Sequence, residues 1–145
     1  MKKFISFNIL IFCLMFNTNV FAKNSDSFNE GKNLFLHKKF DESKFFFEKD
    51  LVFNPKNSKS YLYLAKIFKK EENEFEEEKN INATLLLESD NEEAMYMLID
   101  IKLEKSDIKK VEDLKEKFKI ICDTLCSKID SIDERLSNIN VENES

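Results

Sequence analysis

Cys122 and Cys126 are four residues apart, a spacing that sets two thiols one turn from each other on a helix face. In an oxidising compartment such a pair can form a disulfide, although a bridge between neighbours on one straight helix meets awkward geometry. A bridge to another polypeptide is also open, as is plain burial of two small apolar side chains. Metal ligation would need two further ligands, and the only histidine, His37, lies far away in sequence. His37 stands beside Lys38 and Lys39 and reads as an exposed turn residue. Six glutamates fall between Lys69 and Lys79. They could face a metal or a basic partner, but a charge run of this kind reads first as a solvated turn between helices. One glycine in the whole sequence excludes Gly-rich phosphate cradles, and one histidine supplies no nucleophile–base pair with a spatial warrant. No catalytic residue, cofactor or metal is expected, and the sequence reads as a protein without enzymatic activity.

The elements that must carry these residues follow from composition. The 145 residues suit one domain, and 42% hydrophobic content with 15 phenylalanines is too rich for a disordered polypeptide. One Gly and one Pro leave too little turn material for sandwiches or barrels, so the fold class expected is all-α. The start is different in kind. Lys2 and Lys3 precede an apolar stretch from Phe4 to Phe16, and Asn17-Thr18-Asn19 leads into Val20-Phe21-Ala22. This is the layout of a bacterial signal peptide over residues 1–22, cleaved after Ala22. The apolar run falls short of the ~20 residues that span a bilayer, so membrane association is expected only if the leader stays uncleaved or Cys13 is lipidated. Leu10-Ile11-Phe12-Cys13 is a poor lipobox, because Phe12 is bulky. Export to the periplasm or cell envelope is the expected destination.

Charge is strongly polarised along the remainder. Residues 23–70 hold 11 lysines and 6 acidic groups, a net +5, whereas residues 71–145 hold 10 basic and 22 acidic groups, a net −12. This argues against general nucleic-acid binding and leaves room for head-to-tail attraction between copies or for two partners of opposite charge.

Residues 24–57, 58–91 and 92–125 align as three frames of 34. In the first, Lys39-Phe40-Asp41-Glu42-Ser43 is followed by Phe46-Phe47-Glu48-Lys49 and by Leu51-Val52-Phe53-Asn54-Pro55. This resembles the second half of a tetratricopeptide repeat (TPR). Ser43 holds the small-residue slot, Phe47 the large aromatic one and Pro55 the helix stop. Gly31 falls on the small residue of the first helix, where two helices approach closely. Tyr61, Leu64, Ala65 and Phe68 repeat the first-helix pattern; Leu85 and Leu87 repeat the closing Leu-x-Leu; Met95, Leu98 and Ile99 continue the series. Glu77 departs by occupying a small slot. Helical periodicity, Asp90-x-x-Glu93 as a capping box, and Ser58 and Ser106 as helix starts favour the same elements. The resemblance implies an α-solenoid of about three helix-turn-helix repeats over residues 23–121.

The family binds protein segments on the concave face lined by the first helix of each repeat. Carried over residue by residue, that face comprises Phe28, Asn29, Lys32 and Phe35; then Leu62, Tyr63, Lys66 and Lys69; then Tyr96, Met97, Asp100 and Leu103. Phe28 and Lys32 depart from the clamp that grips the carboxyl terminus of a partner, so an extended or helical segment with some acidic character is the partner implied. The layout is also similar to the TPR lipoprotein of outer-membrane β-barrel assembly, which makes an accessory envelope component one alternative; a structural protein that self-assembles through its C-terminal helix is the other.

Beyond residue 117 an apolar seam runs through Phe118, Ile121, Leu125, Ile129, Ile132, Leu136 and Ile139. It predicts a helix over 122–140 that caps the last repeat or pairs with another copy, followed by a disordered tail at 141–145.

Overall fold

The computed structural model describes residues 26–144, so the leader expected over 1–22, its cleavage site and Cys13 lie outside the described residues. Seven helices and no strand are found among them: α1 Ser27–Leu36, α2 Phe40–Phe53, α3 Ser58–Lys70, α4 Glu74–Leu87, α5 Glu92–Glu104, α6 Ile108–Ile121 and α7 Lys128–Glu144. Each packs on the next, so successive pairs form antiparallel hairpins stacked into a solenoid. None is long and apolar enough to cross a membrane.

The repeat interval is written into the backbone. The first helices of the hairpins end at Leu36, Lys70 and Glu104, and the second at Phe53, Leu87 and Ile121. Lys38, Glu72 and Ser106, again one repeat apart, all adopt the left-handed conformation, with φ of 61°, 56° and 54°. The residue after each one donates its N–H to a carbonyl five residues back: Lys39 to Leu34, Asn73 to Phe68 and Asp107 to Lys102, all at 3.0 Å. This is the helix-ending turn usually built on glycine, made here from Lys, Glu and Ser. Starts are set by side-chain caps. Asn91 accepts from the Ala94 N–H and Asp107 from the Lys110 N–H, so the caps sit one residue after Asp90 and Ser106.

Small residues let the hairpins close. A Cβ on Gly31 would meet three atoms of the buried Phe47 ring at 2.9–3.2 Å. The Ser43 hydroxyl donates to the Gly31 carbonyl at 2.8 Å, as close backbone approach permits. Around this point Phe47, Leu64, Ile67 and Phe68 form one core, with Phe28, Phe35 and Tyr63 against it. A larger core runs from Leu62 to Leu136.

The expected helix over 122–140 begins only at Lys128, and its helical backbone reaches Glu144 in place of a disordered tail from 141. Cys122 occupies, in the third frame, the position at which Asn54 and Glu88 end α2 and α4. All seven seam residues still pack into the larger core, because the backbone turns and lays α7 back against α5 and α6. Ile132 stands one repeat after Leu98, so α7 takes the place of a fourth first helix. Its apolar stripe therefore covers the last repeat within the same molecule.

Candidate functional site

The inner layer consists of the first helices α1, α3 and α5, continued by α7. Its N-terminal half presents aromatic rings. Tyr63 on α3 stacks on Phe47 with centroids 4.9 Å apart, and Phe35 and Phe28 on α1 meet its edges at 5.1 and 5.9 Å. Lys66 lies over the Tyr63 ring at 4.8 Å and pairs with Glu93 at 2.8 Å. Burial, with the Glu93 charge second, raises the Tyr63 hydroxyl above its ordinary value. Phe28, Phe35 and Tyr63 remain half-buried, while Asn29 and Lys32 are exposed beside them. Asn29 is engaged by the Asp26 cap, whereas Lys32 makes no ion pair among the described residues.

The C-terminal half is closed. Leu62, Met97 and Leu103 are buried core side chains, not surface ones. Tyr96 packs near Phe118 at 6.1 Å and lies beneath Lys128 of α7. Lys69, Asp100 and Arg135 form an ion-pair ladder across α3, α5 and α7, with Arg135 to Asp100 at 2.5 Å. Burial works to raise Asp100, but the hydrogen bonds and charges of Lys69 and Arg135 hold it below the usual carboxylate range. Burial likewise acts to lower Lys69, and Asp100 overrides it to give a net rise. The residues expected to line one continuous face thus divide between an open half and a locked half.

The glutamate run serves the fold. Glu71 pairs with Lys44, Glu74 with Lys105, Glu76 with Lys79, and Glu78 with Lys102 and Lys105. Glu78 is accordingly lowered, mainly through the Lys102 hydrogen bond. Glu72 is exposed and makes no ion pair among the described residues, whereas Glu77 is buried at 5% exposure and its Oε1 has no hydrogen-bond partner among them. Burial pushes it up from 4.5 to about 6, against the opposing pull of Lys69. His37 is exposed and its Nδ1 donates to the Asn33 carbonyl at 2.8 Å. No group of three or more His, Cys, Asp or Glu side chains among the described residues is placed to hold a metal ion. Two open clefts, of about 520 Å³ at Asn54–Asn57 and about 470 Å³ beside Phe75 and Lys105, both lie away from the inner-face residues.

The sequence left the state of Cys122 and Cys126 open between burial, a disulfide and a bridge to another polypeptide. Cys122 and Cys126 form a disulfide with each other. The loop they close presents the N–H groups of Asp123, Thr124 and Leu125 to the Glu92 carboxylate, at 2.8, 3.1 and 3.0 Å, and the Thr124 hydroxyl joins them. Led by the Thr124 hydroxyl and the Asp123 N–H, these bonds lower Glu92 to about 2. The obstacle of a bridge along a straight helix disappears because α6 stops at Ile121.

No family model matches this protein, and no curated protein does. Among solved structures, a chain of the "CopN-Scc3 complex" superposes with a TM-score of 0.62 at 18% identity, covering 81% of this chain and 72% of that one. The likeness is one of fold: an all-helical, solenoid-like repeat architecture.

Proposed function

We propose that this protein is an exported, non-catalytic TPR-type scaffold that holds a segment of another protein on the open half of its inner face. The observation that carries the reading is the half-buried Phe28–Phe35–Tyr63 cluster with exposed Lys32 and Asn29 at its edge. Aromatic side chains give apolar anchoring at low entropic cost, and the unpaired lysine favours a segment with acidic character. Two observations support the TPR-type reading. Helix ends and left-handed turns recur once per frame, and the fold neighbour comes from a complex that names two proteins. Export to the periplasm or envelope rests on the leader-like residues 1–22.

The test is site-specific photo-crosslinking in cells, with the probe at position 32 or 29 and mass spectrometry of the adducts. A defined partner captured from both positions, and lost on Tyr63→Ala, is the expected result. Equal capture from a probe at exposed Lys109 on α6, or no loss on Tyr63→Ala, overturns the assignment of the face.

A further inference from the structure

The turn after the third hairpin is held differently from the turn after the first. The turn that returns α2 to α3 contains Pro55, and a helix does not run straight through a proline. Two repeats on, Asp123 holds that place, and residues 122–127 between α6 and α7 include neither Gly nor Pro. The apolar seam Phe118, Ile121, Leu125, Ile129, Ile132 and Leu136 keeps its 3-and-4 spacing through the turn, so the same residues also suit one straight helix from α6 into α7. The Cys122–Cys126 bridge forbids that form. A straight helix sets the Cβ atoms of residues four apart about 5–6 Å from each other, whereas a disulfide needs about 3.5–4.5 Å. Glu92 adds to the bend by accepting the N–H groups of Asp123, Thr124 and Leu125, which a straight helix would use for its own carbonyls.

We propose that the bridge is a redox lock on domain swapping. With it formed, α7 caps its own molecule; with it reduced, α6 and α7 join into one helix whose α7 portion caps a second copy of this protein. The contacts already present select that occupant. α7 packs on α5 and α6 through Ile132 and Leu136, and its Arg135 and Asp133 pair with Asp100 and Lys115. Straightening bares that surface, and an identical α7 from another copy restores each of those contacts. The geometry closes, because α6 and α7 run antiparallel in the hairpin. Two long helices therefore lie antiparallel about a two-fold axis beside Thr124 and Leu125, and the exchange ends at a dimer. Phe28, Phe35 and Tyr63 lie on other helices, so the open half of each inner face stays free. Cys126 is exposed and within reach of a dithiol. The dithiol's thiolate attacks Cys126 Sγ, the Sγ–Sγ bond breaks, and Cys122 leaves as a thiolate that takes up a proton. The second thiol then closes on the mixed disulfide and releases Cys126, so two electrons and two protons pass to the protein.

Sedimentation velocity over a concentration series, on the purified protein with and without dithiothreitol, reads the assembly. The oxidised protein is expected to stay monomeric, and the reduced protein to convert to a dimer as concentration rises. Cys122→Ser with Cys126→Ser dimerises without reductant. Adding Asp123→Pro to that pair raises the dimer Kd by about a hundredfold or more, because each long helix is then broken near its centre. Cys122 already has φ −65° and ψ 140°, the backbone that a following proline favours, so the bent monomer accepts the change. A second measurement needs no substitution. Wild type and an isotope-labelled copy are mixed, reduced and treated with a carbodiimide, which joins Lys115 to Asp133 across their 2.6 Å contact. Links between heavy and light protein are expected from the swapped dimer. A dimer in which every such link stays within one copy overturns the proposal. So does a reduced wild type that remains monomeric at high concentration, an oxidised one that dimerises equally, or a dimer indifferent to Asp123→Pro.

Discussion

The two halves of the inner layer are built from the same repeat and end in opposite states. On α1 and α3 the positions facing inward are Phe28, Phe35 and Tyr63, held half-open, with Lys32 making no ion pair among the described residues. On α5 and α7 the corresponding surface is sealed by Lys69–Asp100–Arg135, by Lys128 over Tyr96, and by the burial of Met97 and Leu103. The cause is α7, which continues the inner layer past the third hairpin. At the other end, Glu30 and Asn33 take the places that Leu64 and Ile67 fill one repeat later, and both are exposed among the described residues. The added helix thus covers the C-terminal repeat, while the first helix presents a polar face in its place.

The open half depends most on Phe47, whose ring supports Tyr63, Phe28 and the Gly31 contact together. Phe47→Ala is expected to cost about 3–5 kcal/mol in urea unfolding, a large share of an ordinary domain's stability. It should also abolish crosslinking from position 32, whereas Leu36→Ser should leave both unchanged.

Glu77 sits at the junction of the halves, and its buried carboxyl binds a proton more tightly folded than unfolded. Stability linked to this group is fully present below about 4.5 and declines as pH rises through about 6, opposite to ordinary acid denaturation. Glu77→Gln should flatten that window and raise stability at pH 7 by roughly 1 kcal/mol once solvent screening is allowed for. A profile unchanged between wild type and variant would show that Glu77 finds a partner in solution.

Reduction of Cys122–Cys126 tests the locked half alone. Opening so short a loop is expected to cost about 2 kcal/mol, and amide exchange should quicken in residues 123–136 while α1 to α3 keep their protection. Glu92→Gln should loosen the same loop. In the wild type the anchor should persist on acidification until pH falls from about 4.5 through about 2, where Glu92 takes up its proton.

How much of this the sequence disclosed depends on the kind of interaction. Helix existence and the apolar seam were legible because each is a pattern of side-chain size at fixed spacing; the close approach at Gly31 followed from the resemblance to the repeat, which did not name Phe47 as the ring it meets. The break at Cys122 was hidden in the 3-and-4 spacing of the seam, which a short turn preserves; it was visible only in the repeat register of Asn54 and Glu88. The anchoring of Glu92 left no trace, because most of its partners are backbone N–H groups, which every residue but proline has. Nor could Lys69 and Asp100 be read as paired rather than available, since charged residues on neighbouring helices look alike until the helices are placed.

The three left-handed turns give the smallest and sharpest test. A residue with a Cβ in this conformation costs roughly 1 kcal/mol relative to glycine, and the protein has it at Lys38, Glu72 and Ser106. Glu72 has no ion pair among the described residues and is exposed, so its replacement removes only the backbone cost. Glu72→Gly should therefore stabilise by a few tenths to about 1 kcal/mol, the lower value allowing for the greater freedom of an unfolded glycine. Lys38→Gly should behave alike in the open half and Ser106→Gly in the locked half, because the backbone there is the same even though the surfaces are not. If the three gains differ by more than about 0.5 kcal/mol, the hairpins do not act as independent copies, and the additivity expected of separated sites fails.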